Sequence, residues 1–408
     1  MNSNLFPTPT KMAAVALLYF AEGLPFGLVN SALSVYFRTK KISLEEIGLL
    51  SLLGLAWSLK LLWAPLVDRF GKRFFWIVPA QLAMAGSTAL LAVFDPIGDK
   101  AWFWVLLTGV CLASATQDIA ADAYTIDILE EKELGPANGI RSAAYRVALV
   151  AAGGLMVMVG DWFGWGAAFI ATAGVLLVLA LIVLSSPAFH RSRQGHLRPA
   201  SWKKQWLGPI RLLSRMPHFG VAVCFILTFK CGEAMLVAMA NPFWIDRGFS
   251  PAQIGFVVGT LGTLASIVGA VSGGWLTARW GIAKSLWMLG MVQALAGLGY
   301  FLSSFPLAPS EAIYFSALLE SLAIGLATAA FLSFLMKLCD KRFSATHYAF
   351  LSTLFGLGRS LAGVLGGYAA AALGYPLFFF ATIVIGVIPL FLIPFLKSTL
   401  DGIPEAEG

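Results

Sequence analysis

SATQDIAADAYTIDIL, residues 114–129, is a polar passage within a strongly apolar chain: it carries Gln117, Asp118, Asp122 and Asp127. Asp118 and Asp122 are four apart, so on a helix they share one face, about 40° apart around the axis. Thr125 continues that face. A carboxylate inside a bilayer costs roughly 2.5–3.5 kcal/mol on insertion scales, so two on one face call for a wet cavity or cationic partners. The surroundings are membranous. Of 408 residues, 59% are hydrophobic and 12% charged, and apolar runs of about twenty residues recur throughout. The alternating pattern of an outer-membrane barrel is absent. The opening MNSNLFPTPTK has no cationic stretch of the signal-peptide kind, so the first apolar run reads as a retained span.

The runs predict twelve spans, near 12–37, 45–66, 74–95, 101–128, 139–160, 164–187, 217–244, 251–276, 284–304, 310–338, 344–371 and 374–397. An even number places both termini on one side, and Lys and Arg choose it. The loops on the terminal side carry 17 of them, among them Lys11, Arg69, Lys72, Arg73, Arg279, Lys284 and seven between Arg191 and Arg215; the opposite loops carry 5. Both termini are therefore expected in the cytoplasm. The net charge of +7 sits in these flanking loops, which removes the case for nucleic-acid binding. Residues 188–215 are basic, with Trp202 and Trp206 interleaved, and read as a linker along the inner leaflet. They divide the chain into an amino-terminal half, 1–187, and a carboxy-terminal half, 216–408.

The halves repeat weakly. Glu46-Ile47-Gly48 opens span two, and Gln253-Ile254-Gly255 opens span eight. Asp68-Arg69-Phe70-Gly71-Lys72-Arg73 follows span two, and Ala278-Arg279-Trp280-Gly281 follows span eight. Two related halves form a secondary-transporter plan. The D-R-x-G-K-R loop resembles the signature loop of the major facilitator superfamily, with Ala64 where that family usually has glycine. The resemblance makes Asp68, Arg69, Gly71, Arg73 and Arg279 candidate gating residues; their alternative reading is a solvated turn.

Outside 114–129, ionisable residues within spans are few: Glu22, Lys60, Arg141, Arg146, Lys230, Glu233, Glu320 and Arg359, with Lys337 and His347 near span ends. Their signs nearly balance, which suggests pairing inside the bundle. Glu22, Asp118, Asp122, Glu233 and Glu320 all fall in spans one, four, seven and ten, the set that surrounds the cavity in the superfamily. Each residue also has a plainer reading. Lys230 and Glu233 can satisfy each other; Arg141, with Tyr145 four residues on, can anchor to Asp118 or Asp122; Lys60 can snorkel to the interface; His347 can be solvated. Pro25 is expected to kink span one beside Glu22. Gly153-Gly154, Gly269, Gly273-Gly274, Gly363 and Gly366-Gly367 read as close-packing positions, and Trp63, Trp76, Trp102, Trp162 and Trp244 as an interface belt. Cys111, Cys224, Cys231 and Cys339 are expected as free thiols. No metal-ligand spacing and no catalytic constellation is present, so neither a metal nor an enzymatic role is expected.

Several stretches together resemble the AmpG-type permeases, in the facilitator family that also contains the acetyl-coenzyme A transporters. They are Ser58–Arg69, Ala115–Tyr124, Tyr145-Arg146 before Gly153-Gly154, Lys230-Cys231-Gly232-Glu233, Phe343–Thr346 and Gly358-Arg359. Glu22 stands where related proteins usually have a small residue. The resemblance implies an all-α integral membrane protein with the twelve-helix facilitator fold, importing anhydro-muropeptides across the bacterial inner membrane with protons by alternating access. Gln117, Asp118 and Asp122 would line the site or couple protons; Lys60, Arg141, Lys230 and Arg359 would bind polar or anionic groups. Glu22, Tyr145, Glu233 and Glu320 complete the candidate set, and Tyr124, Tyr145 and Phe20 are candidates to stack on sugar rings. The expected partners are a small anionic sugar or glycopeptide and the bilayer, with the proton as coupling ion, no further cofactor, and a monomeric chain. Other anions, such as a siderophore or acetyl-coenzyme A, are the alternative cargo, and a non-transporting membrane receptor the alternative of another class.

Overall fold

The computed structural model describes residues 7–69, 73–129, 133–190, 218–339 and 344–396. The linker expected over 188–215 lies almost wholly outside them, as do Gly71 and Lys72. The protein is an all-helical, multi-pass membrane protein. Among the described residues, nine helices are long and apolar enough to cross a bilayer. They are α1 (Thr8–Thr39), α4 (Lys100–Ile128), α5 (Ala137–Phe163), α6 (Trp165–Ser185), α7 (Phe219–Asp246), α8 (Pro251–Trp280), α9 (Ile282–Ser303), α10 (Ser310–Lys337) and α11 (His347–Leu396). Between α1 and α4 lie α2 (44–69) and the shorter apolar helix α3 (Phe74–Leu90).

Two places differ from twelve even spans. The 50 residues of α11 turn at Gly374, whose φ of 70° only glycine adopts readily; Pro376 then starts the second limb. The segment α2 is broken: helical stretches alternate with 3-10 turns at Leu50–Gly54 and Lys60–Leu62. Pro65 has no N–H to give Leu61, which favours the tight turn before it. The repeated E/Q-I-G motif has a structural cause. Ser43 Oγ accepts from the Glu46 N–H, and Ser250 forms a full capping box with Gln253, so both motifs start helices.

The chain forms two compact units. The first comprises Met1–Ile42, Leu59–Arg198 and Gly248–Thr260. There α1 lies along α5, with Gly23 against Ala148 and Gly27 against Ala152. Tyr36, Phe37, Phe103, Trp165 and Phe169 form an aromatic cluster near one end. Pro25 is followed by a π-type turn at Leu28–Ala32, a usual place for local distortion in a long helix.

The second unit comprises Ser43–Ser58, Pro199–Arg247 and Leu261–Gly408. Its core is Phe225, Phe229, Phe331 and Phe334 with apolar neighbours. Here α8 and α10 meet backbone to backbone. A Cβ on Gly325 would sit 2.7 Å from the Ala270 nitrogen and closer still to the Ser266 carbonyl. Gly325→Val is therefore expected to lower stability by at least about 1–3 kcal/mol, read as a fall in the melting temperature of detergent-purified protein. Gly274, expected to pack in the same way, faces open space. The expected tryptophan belt also loses a member: Trp244 is wholly buried, edge-on to Tyr314 and donating to the Tyr300 hydroxyl at 3.4 Å.

Candidate functional site

In the first unit, α4 presents Asp118 and Asp122 on one face, and each carboxylate meets a cation. Lys60, at the 3-10 turn of α2, donates to Asp118 Oδ2. It does not snorkel away, because the turn directs its side chain across to α4. Arg141 of α5 pairs with Asp122 Oδ1 at 3.1 Å, and its guanidinium lies 4.2 Å from the centre of the Tyr19 ring. Tyr19 donates to the same Asp122 oxygen at 2.5 Å. Asp122 is thus held by a cation and a phenol from two other elements. Glu22, one turn after Tyr19, faces Asp118, Asp122 and Lys60, and its Oε2 is buried without a hydrogen-bond partner. Gln117 gives its amide N–H to the Leu18 carbonyl at 3.3 Å, leaving Oε1 buried and unbonded. Arg141 keeps 43% of its side chain exposed and Asp122 34%, so this pair remains open to solvent. Tyr145 is half-buried, its ring 6.0 Å from that of Phe26.

Near one end of this unit, Arg73 donates to the Val67 carbonyl at 2.9 Å and approaches Asp127 at 3.5 Å. Lys11 pairs with Glu133 at 2.9 Å, both buried, and Thr8 adds a hydrogen bond at 2.7 Å. Asp68 and Arg69 lie on the last helical stretch of α2, and their side chains are outside the described set. Arg279 is exposed and caps the Trp275 ring at 5.5 Å. Tyr124, expected to stack on a sugar, is buried against Phe189, with ring centres 5.0 Å apart. Its ring is unavailable to a ligand.

In the second unit, Lys230 is only 2% exposed and donates to Glu233, to Gln293 Oε1 at 2.8 Å and to Thr328 Oγ1 at 2.9 Å. Gln293 returns its amide N–H to Glu233 at 2.7 Å. Glu320, on α10, is buried beside them, and its Oε1 has no hydrogen-bond partner. Arg359 lies over the Phe355 ring at 5.6 Å and faces Lys230 through its charge. His347, expected to be solvated, is buried. Among the described residues, no group of three or more His, Cys, Asp or Glu could hold a metal ion.

The model of the Major Facilitator Superfamily matches residues 15–363, and again 223–405. The chain belongs to that superfamily. It is 31% identical to the anhydromuropeptide permease of Escherichia coli (strain K12), over 97% of this chain and 82% of that protein. It is 25% identical to the putative transporter AmpG 4 of Rickettsia conorii, over 96% and 97% of the two chains. Among solved structures, a bacterial homologue of the lysosomal transporter Spinster matches with a TM-score of 0.79 at 17% identity, over 98% and 99% of the chains.

Sequence reasoning did not single out three members of these clusters. Tyr19 stands three residues before Glu22 and shares its helix face. Gln293 is the one long polar side chain in the apolar run 285–303. Thr328 falls eight residues after Glu320, about two helical turns along one face. Each carries a signal of spacing or polarity, and neutral polar residues are common enough in spans to hide it.

Proposed function

We propose that this chain imports anhydro-muropeptides across the bacterial inner membrane, with both termini in the cytoplasm, by proton-coupled alternating access. The observation that carries the reading is the 31% identity to an anhydromuropeptide permease across 97% of this chain. The acid–base cluster of the first unit gives it a chemical basis. Asp122 holds Arg141 in a pair that solvent still reaches. A proton on Asp122 removes the charge that engages Arg141, and the freed guanidinium can then grip a peptide carboxylate in bidentate fashion. Loss of the proton restores the internal pair and releases the cargo. Lys60 and Asp118 form a second pair that can exchange in the same way. Tyr145 and Phe26 offer rings to a sugar face.

The test is uptake of labelled N-acetylglucosaminyl-anhydro-N-acetylmuramic acid into proteoliposomes under an imposed pH gradient. Accumulation that a protonophore abolishes supports cargo and coupling together. Uptake without gradient dependence keeps the cargo and removes the proton. No uptake by folded, correctly oriented protein moves the cargo to another anion, such as a siderophore or acetyl-coenzyme A.

A further inference from the structure

The second unit has its own acid cluster, and one of its acids, like Glu22 in the first, stands outside the ion pairs. Lys230 uses all three of its donors, on Glu233, Gln293 and Thr328. Its charge is matched by Glu233, which also takes the Gln293 amide. Glu320 is left over. It is 7% exposed, its Oε1 meets no donor, and it lines a cavity of about 20 Å³ with Glu233, Gln293, Phe229 and Leu236. That volume suits a single water, since roughly 10–15 Å³ is needed for one. The titratable groups facing Glu320 are Lys230 and Glu233 of α7 and Tyr300 of α9. From α11, Arg359 faces Lys230.

An ionised Glu320 in this place would be a second buried negative charge beside Glu233, with no donor at Oε1, with the Lys230 donors already taken, and with Arg359 lying over the Phe355 ring, a situation proteins avoid by neutralising the group. We propose that Glu320 is a proton-binding site in its own right, separate from the acids of the first unit, with the cavity as the water-sized port through which the proton enters and leaves. The bound proton sits on a Glu320 carboxyl oxygen and leaves as hydronium through the cavity water, returning the carboxylate; no other bond changes. The further consequence, a second proton carried in each transport cycle, rests on the function proposed above.

The site is read without any cargo. Infrared difference spectra of the full chain in lipid nanodiscs, in sodium and in choline buffers, report the carbonyl stretch of protonated carboxyl groups. The expected result is a buried-acid component at neutral pH, independent of sodium, that E320Q removes and that is still present in E22Q and D122N. A buried-acid signal that E320Q leaves undiminished overturns the proposal. So does one that emerges only when sodium is withdrawn, which makes this a sodium site. If E320Q does not fold, E320D decides: a band moved in frequency supports the assignment, and an unmoved one overturns it. Failure of muropeptide uptake leaves this measurement intact, and failure here leaves the cargo intact, so the two readings fall separately.

Discussion

Lys230→Met is expected to destabilise the protein by about 3–5 kcal/mol, because it strands a buried carboxylate. Glu233 is 4% exposed at its side chain and receives the Lys230 ammonium directly. Without it, the Gln293 amide at 2.7 Å is its one remaining donor. The control is the double variant Lys230→Met/Glu233→Leu. Replacing both partners with apolar groups removes the stranded charge, so most of the lost stability should return. Recovery is incomplete, because both ends of the Gln293 amide lose a partner, a loss of about 1–3 kcal/mol. Thermal melts of the detergent-purified variants measure this. Equal losses in the single and double variants would show that the ion pair is not what Lys230 contributes.

The second large effect concerns transport. A gradient of one pH unit stores about 1.4 kcal/mol per proton, enough to sustain about tenfold accumulation for each proton carried. Asp122→Asn keeps the shape of the side chain and cannot give up a proton. Its steady-state accumulation at that gradient should fall about tenfold, while exchange of labelled for unlabelled cargo, which needs no net proton movement, continues. Arg141 then lacks its partner at 3.1 Å, though Tyr19 still supports its guanidinium from 4.2 Å, so the protein should fold. An unchanged accumulation ratio in a well-expressed Asp122→Asn protein would remove this carboxylate from the coupling.

The acids at both clusters were legible because a carboxylate in an apolar run has no cheap explanation. Their partners were less so. Lys60 sits close enough to a span end to suggest snorkelling, and only the 3-10 turn at Lys60–Leu62, which no periodicity reveals, brings it onto Asp118. Pairing of Arg141 and of Lys230 was open to sequence reasoning, since both have acids within reach on the expected face. Tyr19 and Gln293 were hidden by ambiguity of type: tyrosine is as often an interface residue as a ligand, and a lone glutamine in a span carries no charge to account for. The membrane class followed from the apolar runs alone. The breaks in α2 did not, because twenty apolar residues read as one span whatever turns they contain. Tyr124 and Trp244 show the opposite error, in which aromatic rings given a role by position are consumed by packing.

The buried Lys11–Glu133 pair, reinforced by Thr8, bears on how the protein is handled. It fastens the first turn of α1 to a residue four positions ahead of α5, more than a hundred positions later in the chain. A purification tag joined ahead of Pro7 leaves the fastening whole. A fusion or trimming that removes Lys11 takes this ion pair from Glu133 in a site only 5% exposed, and weakens the seam along which α1 and α5 must hold together. At the other end of the described residues Ile393 and Leu396 are buried in the core of the second unit, so trimming that reaches them opens that core.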